Sequence, residues 1–168
     1  MNGIVLIGFM GAGKTTIGQL LAQETGLPQI DFDDLITEEI GMSIQDYFSI
    51  HGEPAFREIE TRILAETLTK SAIISTGGGI VLKEENRGLL KEMPRVVYLK
   101  TDPAELITRL QGDAENIRPL VLSKTPAEIL AVYQPRIPFY EESATLVVET
   151  TNKAPQEIVA EIITKVGE

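Results

Sequence analysis

The sequence predicts a three-layer α/β/α fold in which a five-stranded parallel sheet lies between layers of helices. Five short apolar segments alternate along the chain with segments of helical length, which is the order typical of such folds. The strand segments are almost continuously apolar, and this indicates burial on both faces of the sheet. The length of 168 residues fits one domain, so we expect a single domain over 1–168.

The first half of the chain is predicted to contain three strands and the helices between them. The strands are an apolar run at 4–7, a short segment leading into Asp31, and a buried run at 72–74. The helices are at 15–24, 35–48 and 53–68. Gly26 is suited to end the first helix with a left-handed cap. The second helical segment is expected to break near Gly41, after which Ser43 can cap a further helix.

The second half continues the alternation. The predicted strands are at 96–99 and 145–148, and the predicted helices are at 83–90, from Pro103 onward, at 125–133 and at 155–166. Asp102 is placed to cap the helix that begins at Pro103, because proline suits the first helical position. Residues 112–122 are polar and irregular. Ligands of parallel sheets bind beyond the carboxyl ends of the strands, so we expect the site in the loops that follow the strands.

Composition excludes several classes of protein. There are 25 acidic against 15 basic residues, a net charge of −10, which argues against a general nucleic-acid-binding protein. Cysteine is absent and His51 is the only histidine, so disulfides, thiolate nucleophiles and multi-histidine zinc sites are excluded. No apolar run reaches the roughly 18 residues of a membrane span. The N-terminal apolar stretch has no basic leader, and we therefore expect a cytoplasmic protein.

The strongest chemical signal is a phosphate-binding loop. Residues 8–15, Gly-Phe-Met-Gly-Ala-Gly-Lys-Thr, fit the pattern G-x-x-x-x-G-K-[ST] and lie between a predicted strand and a predicted helix. In such a loop the backbone amides and the helix N-terminus face the phosphate oxygens. Lys14 is expected to reach the β- and γ-phosphates, and the Thr15 hydroxyl to bind magnesium.

The loop alone does not separate kinases from GTPases, ATPase motors and nucleotide-binding regulators. A guanine-reading Asn-Lys-x-Asp motif is excluded, because residues 152–155 end in proline. The acids expected at the site follow the second strand instead. Asp31 and Asp33 share one strand-face parity, so both can point to the same side, where they can support magnesium and contact an acceptor hydroxyl. Asp34 is interpreted as a helix-capping residue.

Three arginines lie within a few residues of glycine or proline. They are Arg57, Arg118 and Arg136. A guanidinium can hold a carboxylate through two hydrogen bonds, so together they indicate a clamp for an anionic acceptor and for the transferred phosphoryl group. Arg57 can alternatively pair with Glu60 along its own helix. The run Gly77–Gly79 is compatible with an acceptor lying against bare backbone and equally with a tight turn.

At this point the residues closely resemble the shikimate kinase family. The features, ordered along nearly the whole chain, are residues 8–18, Asp31-Phe32-Asp33, 41–44, Gly52-Glu53 with Phe56-Arg57 and Glu60, Gly77–Gly79, 118–120, 136–140 and Pro155. The family is similar in fold to nucleoside monophosphate kinases. The resemblance therefore implies a P-loop kinase fold with an acceptor-binding region at about 32–60 and a mobile lid at about 112–123.

The resemblance implies transfer of the ATP γ-phosphoryl group to the 3-hydroxyl of shikimate, in aromatic amino-acid biosynthesis. The implied catalytic residues are Lys14, Asp33 and Arg118, with Asp33 binding the hydroxyl as its possible base. The implied shikimate-binding residues are Asp33, Arg57, Gly78, Gly79 and Arg136. The implied ATP-binding residues are Gly11, Ala12, Gly13, Lys14, Thr15, Thr16, Arg109, Arg118, Lys153 and Pro155. Mg²⁺ is implied as the cofactor, held by Thr15 and, through water, by Asp31.

Two other functions stay open at the level of sequence. One is a kinase for another small molecule, such as gluconate or a nucleoside monophosphate. The other is a catalytically silent nucleotide-binding regulator, which would be expected to lack Lys14, Asp33 or Arg136, and all three are present. The expected partners are shikimate and ATP, without nucleic acid or membrane, and the expected state is a monomer.

Overall fold

The protein is described by a computed structural model that covers residues 3–112 and 125–167. Within these ranges one sheet of five parallel strands has the order β2-β3-β1-β4-β5. The strands are β1 (Ile4–Ile7), β2 (Gln29–Asp31), β3 (Ile73–Ser75), β4 (Val96–Lys100) and β5 (Leu146–Glu149). The predicted parallel sheet is confirmed. Residues of β1 and β3 are almost entirely buried, as expected for strands that helices cover.

Helices flank the sheet in the described part of the chain. They are α1 (Lys14–Thr25), α2 (Phe32–Ile40), α3 (Ile44–His51), α4 (Glu53–Thr67), α5 (Glu84–Lys91), α6 (Pro103–Gly112), α7 (Pro126–Tyr133), α8 (Ile137–Ser143) and α9 (Pro155–Val166). Short 3₁₀ turns occupy Ile80–Leu82 and Gln134–Arg136. None of the helices within the described ranges combines the length and the apolar character that crossing a membrane requires.

Most of the predicted boundaries of the first three helices are correct. Gly26 ends α1 in the left-handed region, and Gly41 ends α2 in the same way. The Ser43 hydroxyl caps α3 by accepting a hydrogen bond from the Asp46 amide at 3.1 Å. The helix α2 begins at Phe32, three residues earlier than predicted, because Asp31 supplies its N-terminal cap.

One helix was not predicted. Residues 134–143, to which sequence patterning assigned no element, form the second 3₁₀ turn and α8. Pro135 and Pro138 each stand in the first turn of one of these elements, where the missing amide would have had no helical acceptor. Arg136 consequently lies at the junction directly before α8, held by regular backbone on both sides.

Three buried tyrosines join the C-terminal helices to the centre of the sheet. The rings of Tyr98 on β4 and Tyr140 on α8 stack with centroids 5.0 Å apart. The hydroxyls of Tyr98 and Tyr133 lie 3.1 Å apart, and the ring of Tyr133 packs against Phe9 at 4.9 Å. Since Phe9 belongs to the loop after β1, this aromatic group positions α7 and α8 relative to that loop.

Candidate active site

The loop after β1 is shaped by two glycines. Gly11 and Gly13 have φ values of 83° and 94°, a left-handed conformation that glycine adopts with little strain. This backbone leads directly into the N-terminus of α1, whose first turn carries no acidic side chain. The positive end of the helix is therefore not neutralised locally and is suited to an anion.

Lys14 lies across the inside of this loop. Its Nζ donates hydrogen bonds to the carbonyl oxygens of Gly8 at 2.6 Å and Phe9 at 3.0 Å. The side chain is largely buried but lines the cavity in front of the loop. An ammonium group held against the loop carbonyls is placed beside the space that a phosphate chain would fill.

A cavity of about 470 Å³ brings most of the predicted residues together. Its lining residues are Met10, Gly11, Gly13, Lys14, Thr15, Thr16, Asp31, Asp33, Asp34, Thr76, Gly77, Gly78, Arg109 and Leu110. The cavity therefore combines the phosphate-binding loop with the acids after β2 and the glycines after β3. All three lie at the carboxyl edge of the sheet, where the sequence predicted the site.

Thr15 and Asp31 form a hydroxyl–carboxylate pair at the cavity wall. The Thr15 hydroxyl donates to Asp31 Oδ2 at 2.8 Å, while Asp31 Oδ1 accepts from the amides of Asp33 and Asp34. Two oxygen ligands of this kind suit Mg²⁺, which usually takes one or two protein oxygens together with phosphates and water. Among the described residues, no group of three or more acidic or histidine side chains forms a metal site by itself.

The parity argument for the two acids was wrong. The strand β2 ends at Asp31, and Asp33 lies in the first turn of α2, so the two do not share a strand. Asp33 still lines the same cavity as Asp31 because the helix turns it toward the phosphate-binding loop. The interpretation of Asp34 as a helix cap was also wrong, since Asp31 is the cap and Asp34 also lines the cavity.

Arg57 is held by two carboxylates on its own helix. Its Nη1 donates to Glu60 Oε1 at 2.7 Å, and its Nε donates to Glu53 Oε2 at 3.2 Å. Arg57 and Glu60 are buried, with 8% and 1% of their surface exposed. Burial is the largest influence on Glu60 and raises the pKa of its carboxyl; Arg57 opposes this shift and Asp33 adds to it. The pairing of Arg57 with Glu60, left open as an alternative, is therefore present beside Asp33.

Because Gly77–Gly79 have no side chains, three neighbouring groups come close to their backbone. A Cβ atom on Gly77 would lie 2.7 Å from Glu60 Oε2, and one on Gly79 would lie 2.3 Å from Arg57 Nη1. A Cβ on Gly78 would lie 3.1 Å from the backbone nitrogen of Met10. None of the three has a positive φ, so these glycines provide space for their neighbours rather than an unusual turn.

Arg136 is not among the described residues that line the cavity, but it is buried next to Gly78, which is. It is 5% exposed and lies near Gly78, with its Nη1 3.8 Å from where a Cβ of that glycine would be. Its guanidinium carbon is 5.5 Å from the ring centre of Phe9. The buried Nη1 atom of Arg136 has no hydrogen-bond partner among the described residues. A buried guanidinium with spare donors is suited to an anionic ligand.

The residues assigned to the nucleotide base are less closely grouped. Arg109 lines the cavity, donates to the Gly11 carbonyl at 3.1 Å and pairs with Glu105. Lys153 instead pairs with Glu161 at 2.9 Å, and Pro155 begins α9; neither is among the described residues that line the cavity. Arg118 and almost all of the predicted lid lie outside the described residues.

Sequence reasoning missed two contributors to this region. Thr76 lines the cavity, and its hydroxyl donates to the Leu6 carbonyl at 2.7 Å, which ties β3 to β1 at the site. The Tyr140 hydroxyl donates to the Gly78 carbonyl at 2.5 Å. Its position four residues after Arg136 was a usable signal, but only once the helix across Pro138 was known.

A parallel sheet in the order β2-β3-β1-β4-β5, with a phosphate-binding loop after β1, defines a P-loop nucleotide-binding protein. The particular family is shown by comparison with known proteins. The family model described as "Shikimate kinase" matches residues 10–167, and the chain belongs to the shikimate kinase family.

Individual relatives agree along the full chain. The chain is 50% identical over 168 residues to a shikimate kinase of Enterococcus faecalis, covering 100% of both. It is 46% identical to a shikimate kinase of Streptococcus gordonii, over 95% of this chain and 96% of the relative. Among solved structures, a shikimate kinase from Acinetobacter baumannii in complex with shikimate has a TM-score of 0.92 and 34% identity, over 99% of this chain and 93% of that one.

Proposed function

We propose that this protein transfers the γ-phosphoryl group of ATP to the 3-hydroxyl of shikimate, giving shikimate 3-phosphate and ADP. The observation that supports it most is the shared cavity, in which Asp33 and Gly78 face the same space as Lys14 and Thr15. Phosphoryl transfer requires a nucleophile and a triphosphate held in line, with little further chemistry from the protein. Membership of the shikimate kinase family supports the identity of the acceptor.

The triphosphate end of the site is assigned to the loop after β1 and the start of α1. The amides of Gly11, Ala12 and Gly13 and the side chains of Thr15 and Thr16 bind the phosphate oxygens. Lys14 leaves its loop carbonyls to meet the β- and γ-phosphates and offsets charge on the transferred group. Thr15 and Asp31 hold Mg²⁺, which supplies further neutralisation of phosphate charge when bound.

The acceptor end is assigned to α2, α4, the triple glycine and the start of α8. Asp33 accepts a hydrogen bond from the 3-hydroxyl, orients it and takes up its proton. Arg57 and Arg136 bind the carboxylate, and Gly78 and Gly79 provide the bare surface against which the ring lies. Two buried guanidinium groups favour a hydroxy acid over a neutral alcohol as acceptor.

The remaining assignments complete the cycle. Arg109 and Pro155 flank the adenine with Lys153 nearby, and Arg118 enters with the lid at about 112–123 to meet the phosphates. Lid closure excludes water that would otherwise hydrolyse ATP. Residues of about 32–60 form the acceptor-binding region of one domain. We also propose that the protein is a cytoplasmic monomer, a state that light scattering of the purified protein would test.

A coupled assay of ADP release tests the function directly. The purified protein with Mg²⁺ and ATP is given shikimate, gluconate or a nucleoside monophosphate, and one control receives no acceptor. We expect ADP release with shikimate to exceed the control by at least about a hundredfold, since a positioned acceptor gains several kcal/mol over water. If ADP release is greatest with gluconate or a nucleoside monophosphate, that compound and not shikimate is the acceptor. If no acceptor raises ADP release, the result supports a catalytically silent nucleotide-binding protein.

A further inference from the structure

We propose that Tyr140 is a positioning residue for the acceptor pocket, because its hydroxyl joins the backbone of Gly78 to the helix that follows Arg136. The inference rests on the proposed function, which assigns Gly78 and Arg136 to acceptor binding. Tyr140 lies behind these two residues rather than at the acceptor, so it acts through both of them.

The hydroxyl of this buried tyrosine makes a short hydrogen bond to a residue at the cavity wall. It donates to the Gly78 carbonyl at 2.5 Å, and the tyrosine is fully buried. Burial raises the pKa of Tyr140 well above its ordinary value, with the nearby Arg136 guanidinium opposing the shift. The phenol therefore remains a protonated donor at neutral pH.

The carbonyl that accepts this hydrogen bond belongs to a glycine that lines the cavity. Gly78 lines the site and lies close to the Met10 amide of the phosphate-binding loop. The Gly78 carbonyl and the Gly79 amide form one rigid peptide plane. Glycine backbone is otherwise the most easily rotated in a chain. A hydrogen bond to the carbonyl consequently restrains the orientation of both glycines that the acceptor is expected to touch.

Tyr140 also lies near Arg136. Tyr140 follows Arg136 by four residues, about one turn of helix, and the Arg136 guanidinium is near enough to lower the pKa of the phenol against the effect of burial. The Arg136 side chain is buried, and its Nη1 finds no partner in the described part of the chain. The Tyr140 hydroxyl, bonded to Gly78, thus lies near a guanidinium that still has a donor available for a carboxylate.

The ring of Tyr140 is itself fixed from the sheet side. It stacks on Tyr98 of β4 with centroids 5.0 Å apart and an interplanar angle of 25°. Its rotation is restricted by this packing, so the hydroxyl is delivered to one place. The central sheet, through Tyr98 and Tyr140, thereby determines the relative position of Gly78 and Arg136.

The test is Tyr140→Phe, with Tyr98→Phe as a matched control that removes an equally buried hydroxyl bonded to Tyr133 instead. Steady-state kinetics are measured with each substrate varied, alongside thermal unfolding. We expect Tyr140→Phe to raise the KM for shikimate roughly fivefold, the usual effect of losing one hydrogen bond, with the KM for ATP within about twofold of wild type. We expect Tyr98→Phe to lower Tm about as much as Tyr140→Phe does. Both KM values of Tyr98→Phe are expected to stay within about twofold of wild type.

An unchanged shikimate KM in Tyr140→Phe, or an equal change in both KM values, would overturn the inference. Arg136→Ala in the same series separates it from the proposed function. If Arg136→Ala raises the shikimate KM and Tyr140→Phe does not, the positioning role alone fails; if neither raises it, the acceptor assignment fails. Should Tyr140→Phe not fold, site-specific 3-fluorotyrosine at position 140 keeps ring and hydroxyl. Fluorine makes the phenol a stronger donor, so a shikimate KM that changes while the KM for ATP does not supports the role, and an unchanged shikimate KM contradicts it.

Discussion

Arg57 and Glu60 form a buried ion pair one helical turn apart, with Arg57 Nη1 donating to Glu60 Oε1 at 2.7 Å. Removing both charges from water is costly, and such pairs often add little to stability. The pair does give the guanidinium a fixed direction beneath Gly79. In the proposed function, this energetic cost on α4 serves to hold the Arg57 guanidinium in one orientation for the acceptor.

The raised pKa of Glu60 leads to a prediction about pH. The pKa of a glutamate carboxyl in the unfolded state is about 4.3. A carboxyl whose pKa is higher than this in the folded state stabilises the fold most at pH values below the unfolded-state pKa. That contribution is lost as pH rises through the folded pKa. Relative to Glu60→Gln, the wild-type free energy of unfolding is therefore expected to fall as pH rises from about 4 to 8.

Urea unfolding of wild type, Glu60→Gln and the exposed Glu58→Gln across this range measures the effect. Glu58 lies on the same helix and controls for a general loss of charge. A wild-type advantage that grows with pH would mean that Arg57 outweighs burial and that the Glu60 carboxyl ionises more readily in the folded protein.

Gly79→Ala is expected to impair acceptor binding without greatly affecting the nucleotide. The new Cβ would lie 2.3 Å from Arg57 Nη1 and 2.5 Å from its Cζ, so the guanidinium must move away from its place beside the glycine loop. Loss of a charge-assisted contact predicts a rise of roughly tenfold or more in the shikimate KM, with the KM for ATP changed less.

Gly88→Ala provides the control for this substitution. No atom lies within 4 Å of a Cβ at Gly88, which is exposed on α5. Alanine there is expected to stabilise the protein by roughly 0.5–1 kcal/mol and to leave both KM values unchanged. A Gly79→Ala enzyme with wild-type shikimate KM would show that the position of Arg57 is not critical for the acceptor.

Lys14→Met is expected to reduce kcat at least about a thousandfold, because electrostatic stabilisation of the transferred phosphoryl group would be lost. Methionine keeps much of the length of the side chain while removing its charge. Stopped assays with Mg²⁺ and saturating ATP and shikimate measure the loss, and the exposed Lys70→Met serves as control. Turnover near the wild-type rate would remove Lys14 from the phosphate-binding role.

Asp31→Asn separates helix capping from metal binding. Asparagine caps a helix about as well as aspartate. The helix α2 should therefore persist, together with the hydrogen bonds that the Asp33 and Asp34 amides donate to the side chain at position 31. The carboxylate charge beside Thr15 is lost, and the Mg²⁺ concentration needed for half-maximal activity is expected to rise several-fold.

Titration of Mg²⁺ at fixed ATP measures this shift, with circular dichroism to verify that helix content is retained. The exposed Asp46→Asn, in the first turn of α3, is the control for the same chemical change elsewhere. An unaltered Mg²⁺ requirement in Asp31→Asn would exclude Asp31 from the metal site.

The parts of the fold that depend on local pattern were predictable. The strand and helix order, the ends of helices at Gly26 and Gly41, and the cap at Ser43 follow from hydrophobic periodicity and backbone preference, and the structure confirms them. The helix α8 was not predictable in this way. Pro138 interrupts its pattern and Pro135 lies just before it, and only the position of Pro138 in the first turn makes the segment compatible with a helix.

The sequence by itself determined the phosphate-binding loop, the alternating α/β order and the set of candidate acids and arginines, since each depends on residue type and near-neighbour spacing. Only the tertiary structure decided which of them meet. Asp33 joins Asp31 through a helix turn rather than a strand, Glu60 reaches beneath Gly77, and Tyr140 bonds to Gly78 across 62 residues of chain. Such contacts depend on the distance and direction between packed elements, which no local sequence pattern encodes.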